Sequence, residues 1–245
     1  MFPIVHYYAN LVIYGAVPPL TALGGLFPDL ASGVGLGRDD AHQMGAPFHR
    51  WCTEEAPQLL PLARGILSHG ILPFGVDYYA DEYWPGCVKG WCFEQGQPWM
   101  ERIGAVTHLP PNLLWWKSHN FVEMSYELLT IERCPSIGAS LIAALNDQAL
   151  TETAAAALSR YTGKDQEGIC NAFCRAPRLF ALEEVSARSL SERQNEAFCR
   201  RHHVYDADIA GMSALLTQMQ ETLRPGYGPF MEEMIGLVGK MLADY

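Results

Sequence analysis

Apolar positions recur every three to four residues along most of the chain, and no run alternates apolar and polar side chains as a half-buried strand would. The pattern predicts an all-α fold. Residues 2–17 read as a first helix, ended by Pro18-Pro19, and "TALGGLFPDLASGVGLG" reads as a short apolar turn followed by a glycine-rich loop. A helix over 39–55 is broken near 45–47, and a long apolar helix over 57–79 carries Pro73 inside it. "DEYWPGCVKGWCFEQGQPW" is an aromatic-rich loop, and 112–133 is a helix. Beyond Pro135 the spacing predicts helices near 136–147, 151–162, 165–175, 190–203, 207–223 and 228–243, with Thr151, Ser189 and Asp206 as N-terminal caps.

The expected architecture is one domain over 1–245, a multi-helix bundle around a polar metal-binding centre. Histidine and tryptophan concentrate before residue 120. Residues 1–133 are therefore read as the metal-site half and 134–245 as a helical scaffold or lid. At 245 residues the chain is long enough to bury a substantial core.

Composition narrows the function classes. Hydrophobic residues make up 49% and charged ones 18%, a globular balance, and the net charge of −10 argues against nucleic acid as a bulk partner, which would need a basic face. It leaves room for a site in which metal ions supply the positive charge. Seven cysteines without framework spacing, and an apolar N-terminal stretch without a basic start, give the expectation of a reduced cytoplasmic protein. Contact with a membrane surface stays open, as does the oligomeric state.

The chemistry begins with "KSHNFVEMSYELL". His119 and Glu123 stand four apart, which puts both on one helix face with Cβ atoms about 6 Å apart. One His-x-x-x-acid pair is expected by chance on the order of once in such a chain; here there are two, the other being His202 and Asp206. The first pair gains weight from its company. His6, His49 and His69 lie on separate apolar helices, and Asp29 follows "ALGGLFP". Each buried imidazole needs a partner at both nitrogens, so one shared metal centre accounts for all of them more simply than four separate arrangements. A proline clashes with the carbonyl four residues back, which here is that of His69, so the helix is expected to kink there and bring Asp77 towards it. Asp77 and Asp81 form a further acidic pair at helical spacing. Tyr78, Tyr79 and Trp84 are the expected aromatic wall of a substrate pocket.

In order, these are an early helix histidine, Gly-x-x-x-Pro-Asp ending at Asp29, a histidine, Leu-Ser-His at His69 and His-x-x-x-Glu. The series resembles the zinc-dependent phospholipase C family and its single-strand nuclease relatives over about residues 1–130. The resemblance implies an all-α phosphodiesterase with up to three zinc ions, and ligands at His6, Asp29, His49, His69, His119 and Glu123. The register of His42 against His49 stays open. The family's aspartate four residues after the helix histidine is Pro73 here, and Asp77 is the residue placed to replace it; the family's N-terminal tryptophan ligand is absent.

Mixed imidazole and carboxylate donors suit zinc, manganese or iron(II), with two or more ions and with Asp29 and Asp77 serving catalysis as well as ligation. The expected function is hydrolysis of a phospholipid-like or small phosphodiester substrate by metal-activated water. The alternative is a catalytically inactive metal-binding helical module or interaction domain. Separately, Cys170, Cys174, Cys199 and His203 are spaced to form a structural zinc site if their helices pack antiparallel.

Overall fold

A computed structural model describes residues 3–245, so the start of the first helix at residue 2 lies outside the described residues. These residues form thirteen α-helices and no strand. The all-α expectation holds.

Helix α1 (Pro3–Tyr14) opens with proline, whose missing N–H costs nothing in a first turn, and ends at Gly15 in the left-handed conformation (φ 72°). Next comes α2 (Pro19–Leu30), which corrects the predicted turn: the stretch holding Gly24, Gly25 and Pro28 is helical. Two glycines weaken a helix by roughly 1 kcal/mol each, but packing demands them. A methyl group on Gly24 would sit 2.1 Å from the Leu62 carbonyl oxygen, and one on Gly65 would sit 2.2 Å from that of Thr21. The partner at this crossing is α5 (Leu60–His69). Between the two lie α3 (Arg38–Gln43) and α4 (Gly45–Glu55); the break expected near 45–47 falls at Met44.

The long helix expected over 57–79 does not form. Helix α5 stops at His69, and Gly70 leaves it in an extended conformation. The chain turns back through a cis Leu72–Pro73 peptide, with the Gly75 N–H donating to the Gly70 carbonyl at 3.0 Å. This turn hooks onto α3, because the Ile71 N–H donates to the His42 carbonyl at 2.8 Å. Chain reversal, not a helix kink, therefore delivers Asp77. A single π-helical turn, Tyr78–Glu82, follows it and carries Asp81.

The aromatic loop contains a short helix, α6 (Trp91–Gly96), and α7 (Met100–Thr107) precedes the long α8 (Pro111–Arg133). Helices α9 (Ile137–Asn146), α10 (Gln148–Thr162) and α11 (Gln166–Leu179) pack together over α2. Asp147 caps α10 in place of Thr151, and Asp165 caps α11. Helix α12 (Ala187–His202) starts in a reciprocal Ser186–Ser189 capping box, which gives Ser189 the third helical position rather than the cap itself.

The last two predicted helices merge into one, α13 (Ile209–Leu242), capped by Asp208 instead of Asp206. Pro225 and Pro229 lie inside it. Packing overrides propensity here: Leu223, Tyr227, Phe230 and Met231 are buried before, between and after them, and Tyr227 shares a 2.8 Å hydrogen bond with Thr130 on α8. Among the described residues no single helix is long and apolar enough to cross a membrane. The buried apolar residues gather in two clusters, one built on α8 and α13 and the other on α2, α4, α5 and α9–α11. Helices α1, α5 and α8 contribute to the polar centre.

Candidate metal centre

Asp77 is the hub of the first donor group. Its Oδ1 lies 3.2 Å from His6 Nε2, and its Oδ2 lies 3.2 Å from His42 Nε2 and 3.3 Å from His69 Nε2. Asp29 Oδ1 stands 4.0 Å from both His42 Nε2 and His69 Nε2. The rings of His6 and His69 stack with centroids 3.7 Å apart. All of these residues except Asp29 are buried; its side chain is 25% exposed, towards a cleft.

The backbone fixes which ring nitrogen faces inward. His69 Nδ1 lies 2.7 Å from the Gly25 carbonyl oxygen, and His42 Nδ1 lies 2.8 Å from that of Arg38. A carbonyl only accepts, so both Nδ1 atoms donate, and in a neutral ring the proton is then absent from Nε2. The two Nε2 atoms nonetheless face each other at 3.3 Å, with Asp77 Oδ2 against both. Three acceptors so placed repel one another unless a cation sits among them, either a proton on a ring or a metal ion. Orienting carbonyls behind the rings are the usual support of a metal-ligating histidine. The glycine crossing makes the first of them possible, since it brings the Gly25 carbonyl within reach of α5.

Electrostatics follows the same geometry. Burial, and the neighbouring His69, hold His6 down to about 4, so it is neutral at neutral pH and able to donate a lone pair. His69 behaves oppositely: burial lowers it, but the Asp77 charge and hydrogen bond outweigh that and raise it. Burial pushes Asp77 up, yet His69, His42 and His6 help hold its carboxyl well below the usual carboxylate range.

The second group is Asp81, His119 and Glu123, whose candidate ligand atoms all lie within 4.8 Å of one another. The His119–Glu123 pair does share one face of α8. Asn120 donates from its amide to Glu123 Oε2 and lies against His119 Nε2, both at 3.1 Å. Asp81 Oδ1 and His119 Nδ1 are buried without a hydrogen-bond partner. Burial, then Glu123, then Asp77 push the Asp81 carboxyl well above its ordinary range, with Arg38 at 3.4 Å opposing them. Burial also holds His119 down to about 4. Two buried carboxylates beside a neutral imidazole are a donor set that a divalent cation satisfies.

Both groups open on one cleft of about 830 Å³. Phe93 and Trp116 form its aromatic wall, with Lys89 held over both rings at 4.2 and 4.7 Å from their centroids. Arg38, Lys117 and Arg201 add positive charge around it.

Of the residues expected in the site, His6, Asp29, His69, Asp77, His119 and Glu123 come together. His49 does not. The break at Met44 throws α4 out of phase with α3, so His42 enters the centre while His49 packs edge-on against Tyr245. The expected aromatic wall is also displaced. Tyr79 and Trp84 are buried in the core, where Trp84 packs on Phe230, and Tyr78 stacks on Phe74; none of the three lines the cleft. Sequence reasoning did not place Asp81, Phe93 or Trp116 in the site, although Asp81 was marked by its spacing from Asp77. Cys170, Cys174, Cys199 and His203 form no common donor group, and all seven cysteines are free. The second His-x-x-x-acid pair is no clamp either, because Asp206 pairs with His108 at 3.1 Å.

Buried histidine and aspartate groups in this centre are thus able to hold metal ions. Comparison with protein-family models, with curated proteins and with solved structures finds no match.

Proposed function

We propose that the protein is a metal-dependent hydrolase of phosphoesters, with two or more divalent ions, zinc foremost, held by the two donor groups. The observation that carries the reading is the set of inward-facing acceptors: His42 Nε2, His69 Nε2 and Asp77 Oδ2 converge within 3.3 Å, while carbonyls hold the outer nitrogens of both rings. His6, His42, His69, Asp29 and Asp77 would hold one part of the metal cluster, and Asp81, His119 and Glu123 the other. Bound ions of this kind supply Lewis acidity and lower the pKa of water.

The chain's own residues would do the rest. Arg38 and Lys89 line the cleft with the donors and are placed to pair with the phosphoryl oxygens. Phe93 and Trp116 exclude water on one side. Asp29 is the more exposed carboxylate of its group and is placed to take the proton of the attacking water. A lipid-like or small phosphoester fits these dimensions better than a long polynucleotide, given the acidic chain.

Elemental analysis of the purified protein tests the reading first, followed by phosphatase and phosphodiesterase assays with and without chelator. The expected result is at least two equivalents of divalent metal and turnover that chelator abolishes. Protein that binds no divalent metal overturns the proposal. Full loading without turnover on any ester replaces it with the inactive metal-binding module.

A further inference from the structure

Beside the main cleft lies a second cavity of about 130 Å³, enough for several waters or one tetrahedral anion. The two are continuous: Asp29, Lys117, Asn120, Arg201 and His202 line both. The side pocket adds Arg193 and Arg200, so five cationic or protonatable side chains meet there in a chain whose net charge is −10. Four of them come from α12, where Arg193, Arg200 and Arg201 share a face by spacing, and Lys117 reaches in from α8.

Ordinary structural roles explain part of this. Cations in the last turn of α12 suit the negative end of its dipole. That does not account for Lys117, which reaches the same cavity from α8. Four arginines elsewhere in the chain sit on carboxylates: Arg160 on Glu55, Arg178 on Glu196, Arg188 on Glu192 and Arg224 on Glu132. Among the described residues no carboxylate makes an ion pair with Lys117, Arg200 or Arg201. His202 Nε2 is buried against the same space without a hydrogen-bond partner.

We infer that this side pocket binds a phosphate group that the substrate carries in addition to the ester being cleaved. The inference deepens the hydrolase reading and rests on it for the word substrate. The pocket's anion chemistry does not depend on metal. A guanidinium and ammonium cluster of this size favours a doubly charged phosphate over a neutral or cationic head group. The substrate class is therefore a phosphodiester with a phosphomonoester close by.

Two measurements separate the pocket from the reaction. Inorganic phosphate is titrated calorimetrically into chelator-treated, chelator-free protein, wild type against Lys117→Met/Arg201→Gln. Lys117 is only partly buried and Arg201 is exposed, so the double variant should fold, and a thermal melt checks it. The expected result is binding by the wild type that weakens at least about tenfold in the variant and falls with added salt. Equal affinity in both proteins, or no binding at millimolar phosphate, overturns the inference.

The second measurement uses metal-loaded protein and thymidine 5′-(p-nitrophenyl phosphate), with and without a 3′-phosphate. A preference of about tenfold in kcat/KM for the 3′-phosphorylated probe, lost in the variant, is expected. No preference overturns the inference. Turnover of neither probe, beside variant-sensitive phosphate binding, sinks the hydrolase reading alone and leaves an anion site. Sedimentation with phosphatidylcholine vesicles, with and without phosphatidic acid, distinguishes a lipid-borne phosphate from a soluble one.

Discussion

The two donor groups of the centre share a cleft but differ in how they are built. The Asp77 group has three imidazoles around one hub carboxylate, and two of those rings are aimed by main-chain carbonyls of α2 and α3. The Asp81 group has two carboxylates and one imidazole, and the side chains of Asn120 and Arg38 hydrogen-bond to it. Main-chain support ties the first group to the helix packing itself. Side-chain support leaves the second adjustable, and its proximity of Asp81 to Glu123 stores like-charge repulsion that a cation would relieve. One group is thus held by the fold and the other by its prospective ligand.

The comparison is broken most strongly at the hub. Replacing Asp77 by Ala removes the carboxylate that three ring nitrogens share. Removing one partner of a buried charged cluster costs about 3 kcal/mol. We expect loss of bound metal and a lower thermal midpoint even in chelator, both read on the purified variant. Unchanged metal stoichiometry would show that Asp77 is no ligand.

At the second group, His119→Ala and Glu123→Ala should each lower metal content by about one equivalent. The Asp77 group should keep its own, because the two sets share no ligand atom. Thermal stability with and without chelator completes the test. If both variants retain the wild-type metal content, the pair on α8 is structural and the hydrolase reading loses its support there.

The smallest expected effects concern protons. His6 and His119 are both held down to about 4 from an ordinary value of 6.5, chiefly by burial. A lowered histidine pKa gives stability that is complete above 6.5 and lost as pH falls towards 4, since the unfolded chain then binds more protons. Denaturant midpoints of chelated protein should therefore drop between pH 6.5 and 4. Glu127, one turn beyond Glu123, runs the other way. Burial pushes it up to about 8 although it accepts the Val5 N–H at 3.0 Å, so its contribution is complete below 4.5 and is lost as pH rises through 8. Glu127→Gln keeps the acceptor and removes the titration. It should stabilise by about 1 kcal/mol near pH 8 and by little at pH 5; a gain independent of pH would count against a buried neutral carboxyl.

These contrasts also explain what the sequence disclosed. Helical periodicity and the face shared by His119 and Glu123 are local properties, and both were legible. So was the convergence of His6, Asp29, His69 and Asp77, because lone imidazoles in apolar helices each demand a partner. His42 was obscured by the phase change at Met44, which no residue pattern quantifies. Pro73 marked the right place but the wrong device, since a helix end followed by a tight turn serves where a kink was expected. The aromatic wall misled because Tyr79 and Trp84 gain more by filling the core than by facing a cleft. The cationic side pocket was invisible, as Lys117 and Arg201 are neighbours only after α8 and α12 pack.

The crossing of α2 and α5 has a consequence for how the site can fail. Gly24 and Gly65 bear no donor atom, yet they set the distance at which the Gly25 carbonyl meets His69. A methyl group there would spare every ligand and tilt a ring. Deleting a ligand changes how many ions bind; widening this crossing would change only how tightly they bind. Part of the information that specifies the centre is therefore written as helix spacing, in residues that a search for ligands would pass over.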